Sequence, residues 1–495
     1  MSSEYPAPRR WSVKAKLLTG IGLVLLILVG VPLTVDSIGR ARLGAAIREA
    51  RATGEPLTFE ELAARRKKWS AAEDAGLVFL PLRPRLGELN AELKSQDLPM
   101  VGEAESPPLG HRWTDETHQK VDDQLIAVQD ELAKLRALGK YPGGSLPFTP
   151  APNPIDTLLP ELADVRFAAK LISLNAIHRA MEGQTDGLSE RVAASLRVGQ
   201  LLQDHPTLIS SLVRIAVDSF TVSTIERVLS LAELTPEQLT DLQQQFADIE
   251  SEDPLYWGLL GERATFYGTG QYLTKTGNTG PLGVTAASRV PGLRGVLFMD
   301  QAAGLRMYNR LTAVARQPDQ RLDVAAALEQ EMSRLSKAYL FTSIMFPALK
   351  RSTELGLRRM AHVRAAQIGI AAERYRLKTG QFPVDLGQLV PGYINEVPAD
   401  PFDGQPLRYK VEDDRRIIYS IGEDGQDDGG DVDTGLKRAP GQGPKDWGFT
   451  LFVPEARNRP ATQPADTPET QPEVLSTSNH QLTTYDLQPT THTNN

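Results

Sequence analysis

The residues with the clearest capacity for chemistry are crowded carboxylates near the C-terminal end of the chain. Nine acidic residues and only two basic ones fall between Glu412 and Asp433. The segment 420–433 also contains four glycines, which let a backbone fold back sharply. Crowded carboxylates repel one another, and a hard divalent cation converts that repulsion into cohesion. Calcium takes roughly six to eight oxygen ligands in irregular geometry, so a calcium site is one interpretation of this pattern.

Two features of the same segment limit which metal and which metal-binding motif it could represent. No His or Cys lies nearby, which argues against zinc or copper. The spacing differs from that of an EF-hand, because the twelfth position counted from Asp424 is Gly435 and not the glutamate that an EF-hand needs. A solvated acidic turn without a bound ion is the alternative that the spacing leaves open.

The N-terminal part of the chain contains an uncharged apolar stretch of nineteen residues, Leu17–Val35. A helix needs about 20 such residues to cross the hydrocarbon of a bilayer. Four basic residues precede the stretch, so we expect a single transmembrane helix with the N-terminus in the cytoplasm. The alternative is a cleaved signal peptide, which has a shorter apolar core and a small-residue cleavage site. Residues 36–40 lack such a site, which favours an uncleaved anchor in contact with membrane lipid.

Composition excludes several functional classes. The chain has 495 residues, enough for two or three domains, and a mild net charge of −8. No sustained basic stretch dominates the sequence, so we expect no nucleic-acid partner. The absence of cysteine rules out disulfides, thiolate metal sites and thiol catalysis. Walker, Rossmann, nucleophile-elbow and zinc-protease motifs are also missing from the sequence.

Hydrophobic periodicity predicts a mainly α fold with a C-terminal α+β domain. We expect a helical bundle or short solenoid in which Thr235 caps one helix and Gln238 completes a capping box. A Gly- and Thr-rich stretch from Gly268 to Pro291 is predicted to be a long surface loop. The predicted divisions are a cytoplasmic tail at 1–16, the anchor at 17–35, a stalk with helices and proline-rich linkers at 36–154, the helical domain at 155–340, the α+β domain at 341–455 and a disordered tail at 456–495.

The C-terminal α+β domain should hold one long helix packed on a small antiparallel sheet. The helix is predicted from Ser343 to Lys378, with a kink at Pro347 and an end at Gly380. Strands are predicted at 407–411, 416–421 and 447–453. Eight basic residues lie along the helix, either as a solvated face or as a surface for anionic lipid or an acidic partner.

An ordered set of small motifs runs through this domain. It comprises Ala371, Tyr375, Gly380, Phe382-Pro383, Leu386, Leu389-Val390, Tyr393-Ile394, Val397-Pro398, Asp400-Pro401-Phe402, Gly404, Pro406-Leu407, Tyr409, Tyr419-Ser420-Ile421-Gly422, Asp424-Gly425 and Gly429-Gly430. In this order the motifs resemble the C-terminal half of the major pseudopilins of type II secretion, over residues 345–453. The resemblance implies that the acidic loop binds calcium through carboxylates and backbone carbonyls. The candidate ligands that it implies are Asp424, Asp427, Asp428, Asp431 and Asp433.

One departure from that family changes the expected role. Pseudopilins begin with a leader cut before Phe or Met and carry a Glu that sets the register of the filament. In this chain no such site precedes Leu17–Val35, and that stretch contains no Glu. The pilin-like helix also begins far from the N-terminus. We therefore expect a pilin-like head on a larger anchored helical protein, and no polymerisation as a pilin.

The sequence thus predicts a non-catalytic, membrane-anchored assembly or accessory protein, related to type II secretion or type IV pilus-like systems and with protein partners. The same resemblance implies a bacterial inner membrane, with most of the chain in the periplasm. The alternative is an anchored hydrolase with an unrecognised site in the helical domain and the α+β domain as a targeting module. The sequence leaves the oligomeric state and the identity of the partner open.

Overall fold

The computed structural model describes residues 12–276, 290, 292–335, 339–345, 349–433 and 445–461. Within these ranges the fold is mainly helical, with a small antiparallel sheet near the C-terminus, and this confirms the predicted fold class. The kink predicted at Pro347 and most of the tail predicted at 456–495 lie outside the described residues.

The helices described before residue 160 include the N-terminal apolar segment and those of the region predicted as a stalk. They are α1 (Val13–Leu25), α2 (Val31–Ala52), α3 (Phe59–Ala64), α4 (Ala75–Phe79), α5 (Arg83–Leu93), α6 (Asp115–Ala127) and α7 (Gln129–Ala137). A single π-helical turn, Leu26–Gly30, joins α1 to α2. The helical backbone is therefore continuous from Val13 to Ala52.

The later helices form the body of the molecule. They are α8 (Glu161–Met181), α9 (Leu188–Gln200), α10 (Leu208–Leu229), α11 (Pro236–Glu250), α12 (Pro254–Thr276), α13 (Leu293–Ala313), α14 (Pro318–Ser333), α15 (Leu340–Met345) and α16 (Leu349–Thr379). The predicted capping box at the start of α11 is confirmed. The Gln238 backbone N–H donates to Thr235 Oγ1 at 3.2 Å, and the Thr235 N–H donates to Gln238 Oε1 at 2.9 Å.

The loop predicted from Gly268 is wrong over its first part, because α12 continues to Thr276. Glycine is tolerated here because close neighbours occupy the space of a side chain. A Cβ atom on Gly268 would lie 2.8 Å from Pro154 Cγ, and one on Gly270 would lie 2.8 Å from Gln301 Cδ. Tertiary packing thus overrides the low helix propensity of glycine. Residues 277–289 and 291 of the predicted loop lie outside the described residues.

The described sheet contains β1 (Arg408–Val411), β2 (Arg415–Ser420) and β3 (Trp447–Phe452), antiparallel and in the order β1-β2-β3. Ile418 at the centre of β2 pairs with Tyr409 of β1 and with Phe449 of β3. Phe449 is fully buried against α16, where a Cβ atom on Gly369 would lie 2.6 Å from Phe449 Cδ1. The predicted strands and the long helix packed on them are therefore confirmed.

The long helix α16 is enclosed on two sides. It packs on β2 and β3 with one face and on α10 and α11 with another. Arg359 Nε donates to Asp218 Oδ2 of α10 at 2.5 Å, and Arg364 Nε donates to Glu250 Oε1 of α11 at 2.7 Å. Arg359 and Arg364 therefore join α16 to the helical body, whereas Arg351 and Lys378 are exposed to solvent.

One hydrophobic core extends across the predicted divisions of the chain. It includes Phe79 and Leu86 from the region predicted as a stalk, the inner faces of α8–α11, and Phe449 of the sheet. A second core lies around α2 and α13 and includes Leu43 and Leu311. Residues 75–146 therefore belong to the packed body, and the boundaries drawn from the sequence stay predictions.

Two described helices are long and apolar enough to cross a bilayer, the continuous helix Val13–Ala52 and α10. The apolar window of α10 is 67% buried inside the protein, so α10 is a core helix. In the N-terminal helix, large apolar side chains are exposed from Leu17 to Leu33. This helix is therefore a candidate membrane span or signal sequence.

The second half of the N-terminal helix is part of the folded body. Its buried residues recur at three- and four-residue spacing along α2 and are Asp36, Gly39, Leu43, Ala46 and Ala50. A Cβ atom on Gly39 would lie 2.3 Å from the Gly295 carbonyl oxygen, so α2 and α13 cross in backbone contact. The buried Asp36 carboxylate accepts hydrogen bonds from Arg294 Nε at 2.8 Å and from the Gly292 N–H at 3.0 Å. The body therefore follows the apolar segment without a linker.

Candidate functional site

The acidic loop connects β2 to β3 along residues 421–433 and 445–446, with residues 434–444 outside the description. The sharp turns predicted from its glycines are confirmed by left-handed φ angles of 70°, 69°, 72° and 76° at Gly422, Gly425, Gly429 and Gly430. Residues with a side chain rarely adopt such φ angles. The loop therefore depends on glycine to present its carboxylates on a tightly folded backbone.

The start of the loop is held by Asp400, which is almost completely buried. Its carboxylate accepts hydrogen bonds from Ser420 Oγ at 2.8 Å and from the Ile421 N–H at 3.0 Å. It also accepts from Arg408 Nη1 at 2.7 Å and from the Phe402 N–H at 3.0 Å. The Asp400-Pro401 turn and the Ser420-Ile421-Gly422 segment, separate in sequence, therefore form one hydrogen-bonded unit.

The end of the loop is held by Asp446, which is only 1% exposed. Its Oδ2 atom accepts hydrogen bonds from the Gly430 N–H at 2.8 Å and from the Asp431 N–H at 3.1 Å. Its Oδ1 atom is buried and has no hydrogen-bond partner among the described residues. Burial raises the pKa of Asp446 above its ordinary value, and the nearby Asp427 charge contributes to the same shift. An unpartnered buried carboxylate oxygen therefore lies under the acidic loop.

The predicted ligands are distributed along the loop. Asp427 Oδ1 accepts from Tyr419 Oη at 3.1 Å, and Asp428 Oδ1 accepts from Lys445 Nζ at 2.8 Å. Asp424 accepts from the N–H of Gln426 in its own turn at 3.0 Å.

The other two predicted ligands lie further along the loop. The Asp431 carbonyl oxygen accepts from the Lys445 N–H at 3.1 Å and from the Asp446 N–H at 3.2 Å. Asp433 lies close enough to Glu226 of α10 for its negative charge to contribute to the raised pKa of Glu226. Within the described ranges, no three His, Asp or Glu side chains form a group that could hold a metal ion. The five-residue ligand set stays a prediction.

Glu423, the first carboxylate of the loop, has a structural role that the sequence did not predict. Its carboxylate pairs with the Arg358 guanidinium of α16 and accepts a hydrogen bond from Trp447 Nε1 at 3.1 Å. The Arg358 guanidinium stacks over the Trp447 ring, 4.4 Å from its centroid. Because burial lowers the pKa of Arg358 only to about 10, it stays cationic at neutral pH. Glu423 therefore fixes the loop to α16.

A buried glutamate on α10 covers the outer edge of the sheet. Glu226 Oε1 accepts a hydrogen bond from the Thr450 N–H of β3 at 2.6 Å, in the place where a further strand would pair. Burial is the main cause that raises the pKa of Glu226 to about 8. Glu226 therefore joins α10 to the sheet in its protonated form at neutral pH.

This raised pKa predicts how stability depends on pH. Between the ordinary value of 4.5 and about 8, the folded chain keeps a proton that the unfolded chain releases. The free energy of unfolding therefore falls as pH rises through this window, by at most about 1.4 kcal/mol per pH unit from this group. We expect Glu226→Gln, which keeps the oxygen acceptor, to remove that slope in urea unfolding between pH 5 and 8. A matched change at the exposed Glu331 should leave the slope in place, and parallel curves for wild type and Glu226→Gln would contradict the assignment.

The strongest candidates for acid–base chemistry in the helical body are Glu161, Asp204 and His205. Burial raises the pKa of both carboxyls and lowers the pKa of His205 to about 4. His205 Nδ1 lies 3.4 Å from Glu161 Oε1, and its Nε2 lies 3.1 Å from the Leu146 carbonyl oxygen. All three residues are buried, and His205 has no exposed surface. These groups therefore lie in the interior of the described helical body.

A surface cavity of about 460 Å³ lies apart from these groups, between the end of α5 and α6. Its lining residues are Gln96, Asp97, Leu98, Lys120, Asp123 and Gln124. Lys120 Nζ pairs there with Asp97 Oδ2 at 2.9 Å, so the charges of the lining are partly satisfied within it. The acidic loop is therefore the better candidate for function.

Comparison of the chain with known protein families, curated proteins and solved structures found no match. The functional interpretation therefore rests on the residues and contacts described above.

Proposed function

We propose that the chain is a membrane-anchored, non-catalytic assembly or accessory protein related to type II secretion or type IV pilus-like systems. In this proposal the anchor lies in a bacterial inner membrane, the N-terminus is cytoplasmic and the body is periplasmic. The observation that carries the proposal is the position of α16, which bears the sheet on one face and packs on α10 and α11 with another. A helix enclosed in this way cannot join a filament, which favours a fixed accessory role.

The contacts of Asp400 support the pilin-like part of this proposal. The two most distinctive pieces of the resemblance are the Pro398–Asp403 turn and the Ser420–Gly425 segment. Asp400 joins them by hydrogen bonds to Ser420 Oγ and to the Ile421 N–H. The two segments therefore have a physical reason to occur together, because each satisfies polar groups of the other.

We also propose calcium as the ligand of the acidic loop. Asp446 Oδ1, which has no hydrogen-bond partner among the described residues, is a hard oxygen donor in a buried position, and such an atom is costly unless a cation or donor meets it. The charge of Asp427 acts on Asp446, and Asp424, Asp428, Asp431 and Asp433 are the further carboxylates predicted from the sequence. A bound calcium ion would neutralise the crowded charge, and Asp446 would hold it against the sheet.

The fold predicts that the N-terminal helix is retained in the mature protein. Cleavage beyond Asp36 would remove the buried partner of Arg294. We expect intact-mass analysis of the protein from membranes to find residues 17–52 present, and alkaline carbonate to leave the protein in the membrane pellet. A mature chain that starts beyond residue 36 would contradict an anchored protein.

The assembly role is tested by deletion of the gene in the native bacterium, followed by complementation. We expect deletion to reduce the release of exported proteins or the formation of pilus-like filaments, and the full chain to restore it. A chain with the double change Asp427→Asn and Asp428→Asn should restore less, because it loses two carboxylates of the acidic loop. A matched double change at the exposed Asp130 and Asp241, outside the loop, should restore fully.

Two outcomes would contradict the proposal. Unchanged release and filament formation in the deletion strain would remove the assembly role. Full complementation by the loop variant, together with loss of complementation by Asp204→Asn at unchanged protein level, would favour the hydrolase alternative instead.

A further inference from the structure

The surface around the end of the anchor contains large apolar side chains that the protein does not cover. Five of them, on three separate segments, are 44–50% exposed: Ile38, Val290, Leu293, Leu340 and Ile344. Single exposed apolar residues are ordinary, whereas a group from several segments marks an interaction surface. We call these five residues the membrane-proximal patch.

The start of α13 lies at the level where the anchor's exposed apolar stretch ends. A Cβ atom on Gly292 would lie 3.2 Å from Pro32 Cβ, and one on Gly295 would lie 2.5 Å from the Val35 carbonyl carbon. The Gly292 N–H donates to Asp36 Oδ1 at 3.0 Å in the same place. Val290 and Leu293, on either side of Gly292, therefore stand beside the last residues of the apolar segment.

The short helix α15 extends the patch along α13. The Asp300 carboxylate accepts hydrogen bonds from the N–H groups of Phe341 at 2.8 Å and Thr342 at 3.0 Å. The Phe341 ring packs inward on Phe266, with 4.6 Å between ring centroids. This attachment fixes Leu340 and Ile344 on the outer face, where both are about half exposed.

The distance along α13 from Leu293 to the attachment of α15 is slightly greater than the depth of a lipid headgroup layer. Asp300 lies seven residues after Leu293, which corresponds to about 10 Å of helix. The headgroup region adds about 5–8 Å on each side of the hydrocarbon. If Leu293 lies at the hydrocarbon boundary, α15 lies at the outer edge of the headgroups, where apolar side chains with basic neighbours bind a bilayer surface.

Basic residues flank the patch at the same level. Arg294 follows Leu293, and its side chain is one third exposed even though it pairs with Asp36. The Arg40 side chain is 60% exposed and lies one helical turn beyond Asp36. Both guanidinium groups are placed to meet lipid phosphates, for which arginine geometry is well suited.

We propose that the membrane-proximal patch lies on the bilayer surface, so that the body is held against the membrane by α13 and α15 as well as by the anchor. The bilayer is the expected occupant because the patch is continuous with the apolar surface of the N-terminal helix. This inference rests on the proposed membrane anchor, and it adds a second lipid contact that restricts the orientation of the body. The acidic loop would then project at a fixed angle from the membrane.

The chain contains no cysteine, so single cysteines can report on each position without background. We suggest Leu293→Cys and Leu340→Cys in the full chain, each labelled with an environment-sensitive fluorophore and reconstituted in nanodiscs of zwitterionic and anionic lipid. Leu28→Cys serves as the reporter of anchor insertion. Val384→Cys is the matched exposed control, because it lies beyond the far end of α16, a helix about 45 Å long.

We expect a blue shift and loss of emission with nitroxide-labelled lipids at positions 28, 293 and 340, and no change at position 384. Quenching at position 28 with none at positions 293 and 340 would overturn the inference, although the N-terminal helix would still be shown to insert in the bilayer. No quenching at position 28 would instead contradict the proposed insertion of the N-terminal helix in the bilayer. A blue shift at 293 and 340 without lipid quenching would assign the patch to a protein partner or a second copy, and it would also overturn the inference.

Discussion

Replacement of Asp218 by Ala should lower the free energy of unfolding by about 3–5 kcal/mol, because it leaves a buried arginine without its counter-charge. Asp218 has no exposed surface, and its Oδ2 atom accepts from Arg359 Nε of α16 at 2.5 Å. The same guanidinium donates to the Ile249 carbonyl oxygen at 2.6 Å and to the Glu252 carbonyl oxygen at 3.2 Å. The pair therefore fixes α16 to α10 and to the end of α11.

Urea unfolding of the full chain in detergent measures this effect, followed by far-UV circular dichroism. The double variant Asp218→Leu with Arg359→Met should recover much of the loss, since buried pairs can be replaced by apolar residues of similar volume. Glu331→Ala is the matched control, because the Arg310–Glu331 pair is about half exposed and should contribute little. Equal stabilities for Asp218→Ala and Glu331→Ala would show that α16 is not held in this way.

Replacement of Asp400 by Ala should cost about 2–4 kcal/mol, because buried donors lose their acceptor. The Ile421 N–H and Ser420 Oγ would be left unsatisfied under the acidic loop, and Arg408 would lose one of its three carboxylate partners. Asp400→Asn should cost less, since its amide oxygen can still accept from one or two of these donors. Thermal unfolding in the absence of divalent cations measures both variants.

Asp403 offers a control for this prediction within the same turn. It also pairs with Arg408, but its side chain is 24% exposed and it makes no contact with Ser420 or Ile421. Asp403→Ala should therefore destabilise the protein less than Asp400→Ala. If the two changes cost the same, Arg408 and not the start of the acidic loop accounts for the role of Asp400.

Local signals in the sequence were sufficient for many elements of the fold. The Thr235–Gln238 capping box marks the start of α11, Gly380 adopts a φ of 83° directly after α16, and alternating residues mark β2 and β3. The glycines of the acidic loop also adopt the predicted left-handed backbone. Each of these features depends on residues a few positions apart, so the chain itself carries the information.

Contacts between distant segments could not be predicted from the sequence. The helical continuation of α12 past Gly268 depends on Pro154 and Gln301. The basic residues of α16 looked like a surface because their partners Asp218 and Glu250 lie more than a hundred positions away. Asp446 follows the undescribed segment 434–444, and only the folded loop places it under Gly430 and Asp431. The burial that gives these charges their roles arises from tertiary packing alone.

We propose that the acidic loop, held by Asp400 and Asp446, binds calcium. Isothermal titration of calcium into the full chain in detergent, after treatment with a chelator, tests it most directly. We predict one ion per chain with a dissociation constant of about 1 mM or tighter, as in extracellular calcium modules. Binding should be lost in Asp446→Asn and retained in Asp97→Asn, whose carboxylate pairs with Lys120 outside the loop. Absence of binding heat at millimolar calcium, or unchanged binding in Asp446→Asn, would contradict the claim.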